Sequence, residues 1–204
     1  MDRIYKRRIM PVIVMGDELD AIPLAETFLS AGMDLMEIPL RTVGAVKAIA
    51  AIRGRFPEML IGAGTLLTVD QVRQAVDAGA MFGVAPGLNE KVVSCAADMK
   101  LPFVPGVMTP SEIERGLEYG CKLQKFFPVE PMGGVKLLEA ISVPYQGTGV
   151  RFIPMGGIRL NTMGAYLALP SVAAVGGAWM ADRTLIAEKN WTKIKELCRE
   201  ALRC

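Results

Sequence analysis

The chain has 204 residues, 51% of them hydrophobic, and its 23 Lys and Arg against 21 Asp and Glu leave a formal net charge of +2. A chain of this length fits one domain with an extensive core, and no apolar run approaches the roughly 20 residues that cross a bilayer, so a soluble protein without a membrane partner is expected. The near-balanced charge supplies no basic field to draw in nucleic acid, and aromatics at 6% offer no stacking platform for bases.

The absence of histidine removes Ser-His and Cys-His nucleophile pairs and metal sites built on imidazole, so no metal centre is expected. Chemistry must then rest on Lys, Glu, Asp, Cys or the backbone. Cys95, Cys121, Cys198 and Cys204 show no CxxC spacing, which argues against a zinc or disulfide framework. Reduced thiols in turn point to the cytoplasm.

Short apolar segments alternate with amphipathic ones at intervals of about 20 to 25 residues, the pattern of parallel βα units. Residues 1–10 read as a short N-terminal extension. The first strand is expected at Val12–Met15; the apolar run around it contains Pro11 and meets Asp17 and Glu18 at once, unlike a signal peptide. Further strands are expected at Leu35–Leu40, Leu60–Thr65, Phe82–Pro86, Phe103–Val107, Leu123–Pro128, Arg151–Met155 and Val172–Gly176. Helices are expected near 18–31, 44–55, 69–78, 90–99, 110–118, 134–141, 161–168 and 181–202. Thr68 with Gln71, and Thr109-Pro110 with Glu112, read as helix caps; Gly32, Gly79 and Gly120 read as left-handed helix ends. Eight such units make a single-domain (β/α)8 barrel, the TIM barrel, over residues 1–204. The rival is an open doubly wound sheet, but Met15-Gly16-Asp17-Glu18 lacks the Gly-rich dinucleotide fingerprint expected after its first strand.

A barrel of this kind carries its chemistry at the C-terminal ends of the strands. In Leu123-Gln124-Lys125-Phe126-Phe127-Pro128, alternation puts Leu123, Lys125 and Phe127 on one face. A buried amine must be neutralised, paired or used. Lys125 is thus either a nucleophile kept partly unprotonated, as Schiff-base chemistry requires, or a lysine whose stem packs while its head reaches solvent or a structural carboxylate. On the second strand Glu37, Pro39 and Arg41 share the inward face while Met36, Ile38 and Leu40 point toward the helices. Glu37 reads as a proton relay and Arg41 as a bidentate carboxylate clamp; the competing reading is a structural Glu37–Arg41 or Glu37–Lys125 ion pair. Gly62-Ala63-Gly64-Thr65 reads as glycines that let a ligand approach the backbone, followed by a hydroxyl at the mouth or a Thr capping the next loop. Pro86 belongs to the rim. Gly156-Gly157 and Gly176-Gly177, after the seventh and eighth strands, stand where barrels bind phosphate through backbone N–H groups.

The ordered set Glu37-Ile38-Pro39-Leu40-Arg41-Thr42, Gly62-Ala63-Gly64-Thr65, Ala85-Pro86-Gly87-Leu88, Phe103 to Pro110, Lys125-Phe126-Phe127-Pro128 and the two Gly-Gly loops resembles the class I 2-keto-3-deoxy-6-phosphogluconate (KDPG) / 4-hydroxy-2-oxoglutarate (KHG) aldolases. The resemblance implies a cofactor-free homotrimer that binds a 2-keto acid and releases pyruvate and an aldehyde. It makes Lys125 the Schiff-base amine and Glu37 the acid/base. Arg41 and Thr65 would hold the pyruvyl carboxylate, with Pro86 and Phe127 lining the pocket. Two positions depart from the family pattern: Met155 replaces a Thr and Ala178 replaces a Ser. These departures give some weight to the alternative of a barrel that binds a 2-keto acid or sugar phosphate without turnover, or serves as a scaffold, although a scaffold has no reason to keep Lys125, Glu37 and Arg41 together on inward faces at a cost in desolvation. The helix that plugs the barrel floor in the family is expected to be only partial in Met1–Met10.

Overall fold

A computed structural model describes residues 1–203 of the chain; Cys204, one of the four cysteines considered above, lies outside them. Strands and helices alternate along the chain. The strands are β1 (Ile9–Pro11), β2 (Leu35–Pro39), β3 (Leu60–Gly64), β4 (Phe82–Val84), β5 (Phe103–Val104), β6 (Gly106–Val107), β7 (Leu123–Phe126), β8 (Arg151–Pro154) and β9 (Val175–Gly177). The helices are α1 (Asp2–Arg7), α2 (Ala21–Ala31), α3 (Ala45–Arg55), α4 (Val69–Asp77), α5 (Glu90–Asp98), α6 (Pro110–Glu118), α7 (Val129–Met132), α8 (Gly134–Ser142), α9 (Leu160–Leu167), α10 (Arg183–Ala187) and α11 (Trp191–Ala201).

All strand pairs are parallel and fall into three sheets, β1-β9, β2-β3-β4-β5 and β6-β7-β8. Isolated bridges join them: Val12 to Glu37 between the first two, and Phe152 to Val172 and Met155 to Gly176 between β8 and the β9 segment. β5 and β6 are two halves of one stave interrupted at Pro105, whose carbonyl accepts from the Lys125 N–H at 2.8 Å. The links pass from each strand to the next around the set, and the architecture is the (β/α)8 barrel.

Two apolar layers follow from the alternation of side chains along these strands. Leu35, Leu60, Phe82, Val84, Val104, Leu123, Ile153 and Met155 fill the barrel interior, closed below by Ile4 and Met10. Met36, Ile38, Ile61, Ala63, Phe126 and Phe152 point outward and pack under the helices. Both threonine caps form complete capping boxes with Gln71 and Glu112, and Gly32, Gly79 and Gly120 take φ of 91°, 83° and 74°.

Several boundaries differ from the sequence expectation. The first strand is Ile9–Pro11 rather than Val12–Met15, because Met10 fills the barrel floor and the segment pairs with Val175–Gly177; Val12 and Ile13 then donate to the Gly177 and Glu37 carbonyls at 2.9 and 2.8 Å. Met1–Met10 is thus more than an extension: α1 buries Ile4 fully, and Arg3 and Arg7 hold Asp34 at its far end. The last strand is Val175–Gly177 rather than Val172–Gly176, since Val172 reaches β8 only through one bridge. The expected helix at 181–202 is two helices, broken where Lys189 adopts φ 53° and Asn190 caps the Lys193 N–H. The short helix α7 carries no periodicity in four residues and could not be read.

Candidate active site

The C-terminal ends of the strands open into a cavity of about 990 Å³. Its wall includes Glu37, Arg41, Thr65, Pro86, Lys125, Phe127, Gly156, Gly157, Gly176 and Gly177, so every site residue expected from sequence is brought to one place.

Lys125 and Glu37 are 7% and 1% exposed, the charged side chains taken deepest into the molecule. Lys125 comes from β7, with Leu123 below it in the interior and Phe127 above, whose ring centroid is 4.7 Å from Nζ. Gln124, facing outward, donates to the Ile113 and Cys121 carbonyls at 3.1 and 3.0 Å and ties the strand to α6. Burial lowers the Lys125 pKa, Glu37 opposes that shift, and Arg41 adds to it. Burial likewise raises the Glu37 pKa, with Lys125 and Arg41 pulling the other way. No ion pair joins Glu37 to Lys125 or to Arg41 among the described residues. Glu37 Oε2 is buried with no hydrogen-bond partner in the protein. The structural ion pair allowed by the sequence is therefore not formed, and an amine and a carboxyl group face one cavity with their chemistry unspent.

The glycines of β3 serve a different purpose from the one expected. A Cβ on Gly62 would stand 2.2 Å from the Phe82 ring, and one on Gly64 would stand 1.8 Å from Glu37 Oε1. They make room for the barrel core and for the buried carboxyl rather than for a ligand. Thr65 follows at φ 56°, a left-handed conformation that costs a β-branched residue of order 1–3 kcal/mol. Its hydroxyl caps nothing, the next helix being capped by Thr68, so its place on the cavity wall is the observation that remains.

At the far side, Gly156 and Gly157 take φ of 97° and 91°. Met155 lies across Gly176, where a Cβ would meet its Cε at 2.4 Å. Ala178 and the exposed Arg159 complete this rim. Val12, Trp179, Asp182 and Leu197 also line the cavity and were not read as site residues. Val12 escaped because the sequence puts it at the start of the first strand, whereas it stands just beyond that strand's C-terminal end. Leu197 gave no signal, since it reaches the mouth from α11 through a turn invisible in the pattern.

The sequence profile of the KDPG and KHG aldolases matches residues 1–197. The chain is 43% identical over 195 residues to 2-dehydro-3-deoxy-phosphogluconate aldolase of Treponema pallidum, an alignment covering 96% of this chain and 92% of that protein. It is 41% identical over 194 residues to KHG/KDPG aldolase of Escherichia coli, covering 95% and 90%. Among solved structures it matches KDPG aldolase of Legionella pneumophila with a TM-score of 0.91 at 39% identity, covering 96% and 95%; in that protein pyruvate was captured as a covalent carbinolamine intermediate. Agreement in sequence and fold over nearly the full length places this barrel, with its buried amine and carboxyl group, in the KDPG and KHG aldolase family.

Proposed function

We propose that the chain cleaves 2-keto-3-deoxy-6-phosphogluconate and 4-hydroxy-2-oxoglutarate to pyruvate and an aldehyde, with Lys125 as the Schiff-base amine and Glu37 as the general acid/base. The observation that carries this reading is the pair itself, both groups buried and both open to one cavity without neutralising each other. A scaffold or a purely binding barrel has no use for that desolvation cost.

Neutral Lys125 attacks C2 of the substrate, and the carbonyl oxygen takes a proton to give a carbinolamine. Loss of water gives the iminium. Glu37, directly or through a water, removes the C4 hydroxyl proton; the C3–C4 bond breaks, its electron pair enters the enamine, and the aldehyde leaves. Protonation at C3 and addition of water then release pyruvate and restore Lys125. Arg41 and Thr65, at the ends of β2 and β3, hold the pyruvyl carboxylate, while Pro86 and Phe127 shape the pocket around the methylene. The backbone at Gly156, Gly157, Gly176 and Gly177 receives the distal end of the substrate.

A homotrimer is supported by the family resemblance and by Val43 and Leu19, 98% and 79% exposed. Leu19 lies in the 3-10 turn Glu18–Asp20 and Val43 just before α3, two segments that the Lys47–Glu18 pair fastens together, so the two apolar side chains stand on one exposed face. The free thiols of Cys95, Cys121 and Cys198 support a cytoplasmic location. Light scattering at micromolar concentration is expected to give the mass of three chains; a single-chain mass contradicts the trimer.

With pyruvate and borohydride, mass spectrometry is expected to show one reduced pyruvyl adduct per chain on the peptide containing Lys125, absent in Lys125→Met along with retro-aldol activity. Because burial lowers the amine's pKa, adduct formation should reach half its maximal rate below the ordinary lysine value of about 10.4. An unchanged adduct in Lys125→Met overturns the assignment.

Glu37→Gln keeps the volume and removes the base, so turnover is expected to fall about 10²- to 10⁴-fold. Gly64→Ala should lower turnover comparably without touching a functional group, because its Cβ would occupy the space of the Glu37 carboxyl. A loss under about 3-fold in both variants would return Glu37 to a structural role.

The apolar wall at Met155 and Ala178 supports weaker discrimination between phosphorylated and unphosphorylated substrates than in relatives with hydroxyls there. A hydrogen bond to a charged group contributes about 1.5 to 3 kcal/mol, so each absent hydroxyl weakens binding of the charged end roughly 10- to 100-fold. In Met155→Thr/Ala178→Ser the ratio of kcat/KM for the two substrates should therefore move toward the phosphorylated one. A constant ratio shows both replacements to be neutral.

A further inference from the structure

Two side chains outside the reacting centre are joined to each other and to the Gly156-Gly157 loop. Glu130 is the second residue of α7, five positions beyond Lys125. Its N–H donates to the Gly156 carbonyl at 3.0 Å, and the preceding Val129 N–H donates to the Met155 carbonyl at 2.8 Å. Its side chain lies along Gly157 so closely that a Cβ there would stand 2.7 Å from Glu130 Cβ and 2.9 Å from Cγ. Beyond that contact Glu130 Oε1 accepts a hydrogen bond from the hydroxyl of Tyr166. Tyr166 is fully buried on α9, the helix that begins where the loop ends. Gly134, at φ 64°, stands beside the junction, where a Cβ would be in ordinary contact with the Tyr166 hydroxyl at 3.5 Å and Glu130 Oε2 at 3.8 Å. The loop is thus held on one side by two α7 N–H groups and on the other by its own helix, and the Glu130–Tyr166 bond ties those two sides together.

We infer that Glu130 and Tyr166 are positioning residues for substrate recognition, fixing the Gly156-Gly157 backbone at the spacing from Lys125 that the distal end of the substrate requires. The inference rests on the reading that this loop receives that end. Two consecutive glycines at positive φ have little conformational stiffness of their own, so the loop's shape must be imposed by what it packs against. The imposed shape matters because N–H groups recognise an anion only when they converge on it. The clamp reaches the loop from the same segment that ends β7, so one short helix references the distal site to the Schiff-base lysine. Burial and the neighbouring Glu130 carboxylate raise the Tyr166 pKa well above the usual phenol range, which keeps the hydroxyl a donor throughout the neutral range.

The test measures kcat, KM and pyruvate trapping for Tyr166→Phe, Glu130→Ala and Glu130→Gln, using 2-keto-3-deoxy-6-phosphogluconate and 4-hydroxy-2-oxoglutarate as substrates. Tyr166→Phe keeps the buried ring and removes the donor; Glu130→Gln keeps an acceptor oxygen for it. Tyr166→Phe and Glu130→Ala are expected to raise KM for the longer, phosphorylated substrate about 10-fold. Their kcat should stay within about 2-fold and the borohydride adduct with pyruvate should be undiminished, while Glu130→Gln stays near the native KM. An unchanged KM in folded Tyr166→Phe and Glu130→Ala overturns the inference, as does a parallel loss of kcat and of the pyruvate adduct, the mark of general disorder. Should Tyr166→Phe not fold, the comparison of Glu130→Ala with Glu130→Gln decides alone, since Glu130 is exposed. Loss of the pyruvate adduct in Lys125→Met is read independently, so failure of the clamp leaves the Schiff-base assignment standing.

Discussion

Taking two opposite charges out of water without letting them neutralise each other is the constraint around which this barrel is arranged. Bringing an ammonium and a carboxylate into an apolar interior costs several kcal/mol each unless they pair or change protonation state. Here the cost is met by shifting both equilibria toward the uncharged forms, the amine downward and the carboxyl group upward, with desolvation the leading cause in each case. The uncharged amine is the form that attacks a carbonyl, and a carboxylate made more basic by burial is the form that takes the C4 hydroxyl proton and can later return it. The same burial that threatens stability therefore sets the chemical potential of the reacting groups.

Space has to be made for such a pair, and the surrounding packing shows how. Gly64 leaves the volume that the Glu37 carboxyl fills, and Gly62 leaves the volume of the Phe82 ring one layer below. Gly106 leaves room for the Pro86 carbonyl, 2.1 Å from where its Cβ would be. Interiors packed to crystal-like density allow few such exchanges, so residues that never touch a substrate become fixed by those that do.

Much of this was legible in the linear pattern. The period-two alternation that set Glu37 and Arg41 against Met36 and Ile38, and Lys125 against Gln124 and Phe126, was reproduced side by side in the two apolar layers. Capping residues read just as well, because Thr68 and Thr109 act on partners three residues away. What escaped were features decided at long range. The first strand was misplaced because its ends depend on pairing with residues near 175, far along the chain. The purpose of Gly62 and Gly64 was misread because the atoms that exclude a Cβ belong to other strands. Leu197 and Asp182 reach the mouth only through the way the C-terminal helices fold back.

The interruption of one stave at Pro105 has a mechanical side. Glu37 stands on β2, before the interruption, and Lys125 on β7, after it, so on this side the strand pairing between them runs through the broken stave. On the opposite side the sheets are fastened through β1 and β9 by isolated bridges. At Pro105 the break is spanned by hydrogen bonds as well as by the chain: the Pro105 carbonyl accepts from the Lys125 N–H at 2.8 Å, and the Gly106 N–H donates to the Gly87 carbonyl at 3.2 Å. The backbone N–H of the reacting lysine thus makes one of the bonds that close the break, and the residue that faces the cavity also fastens the barrel wall.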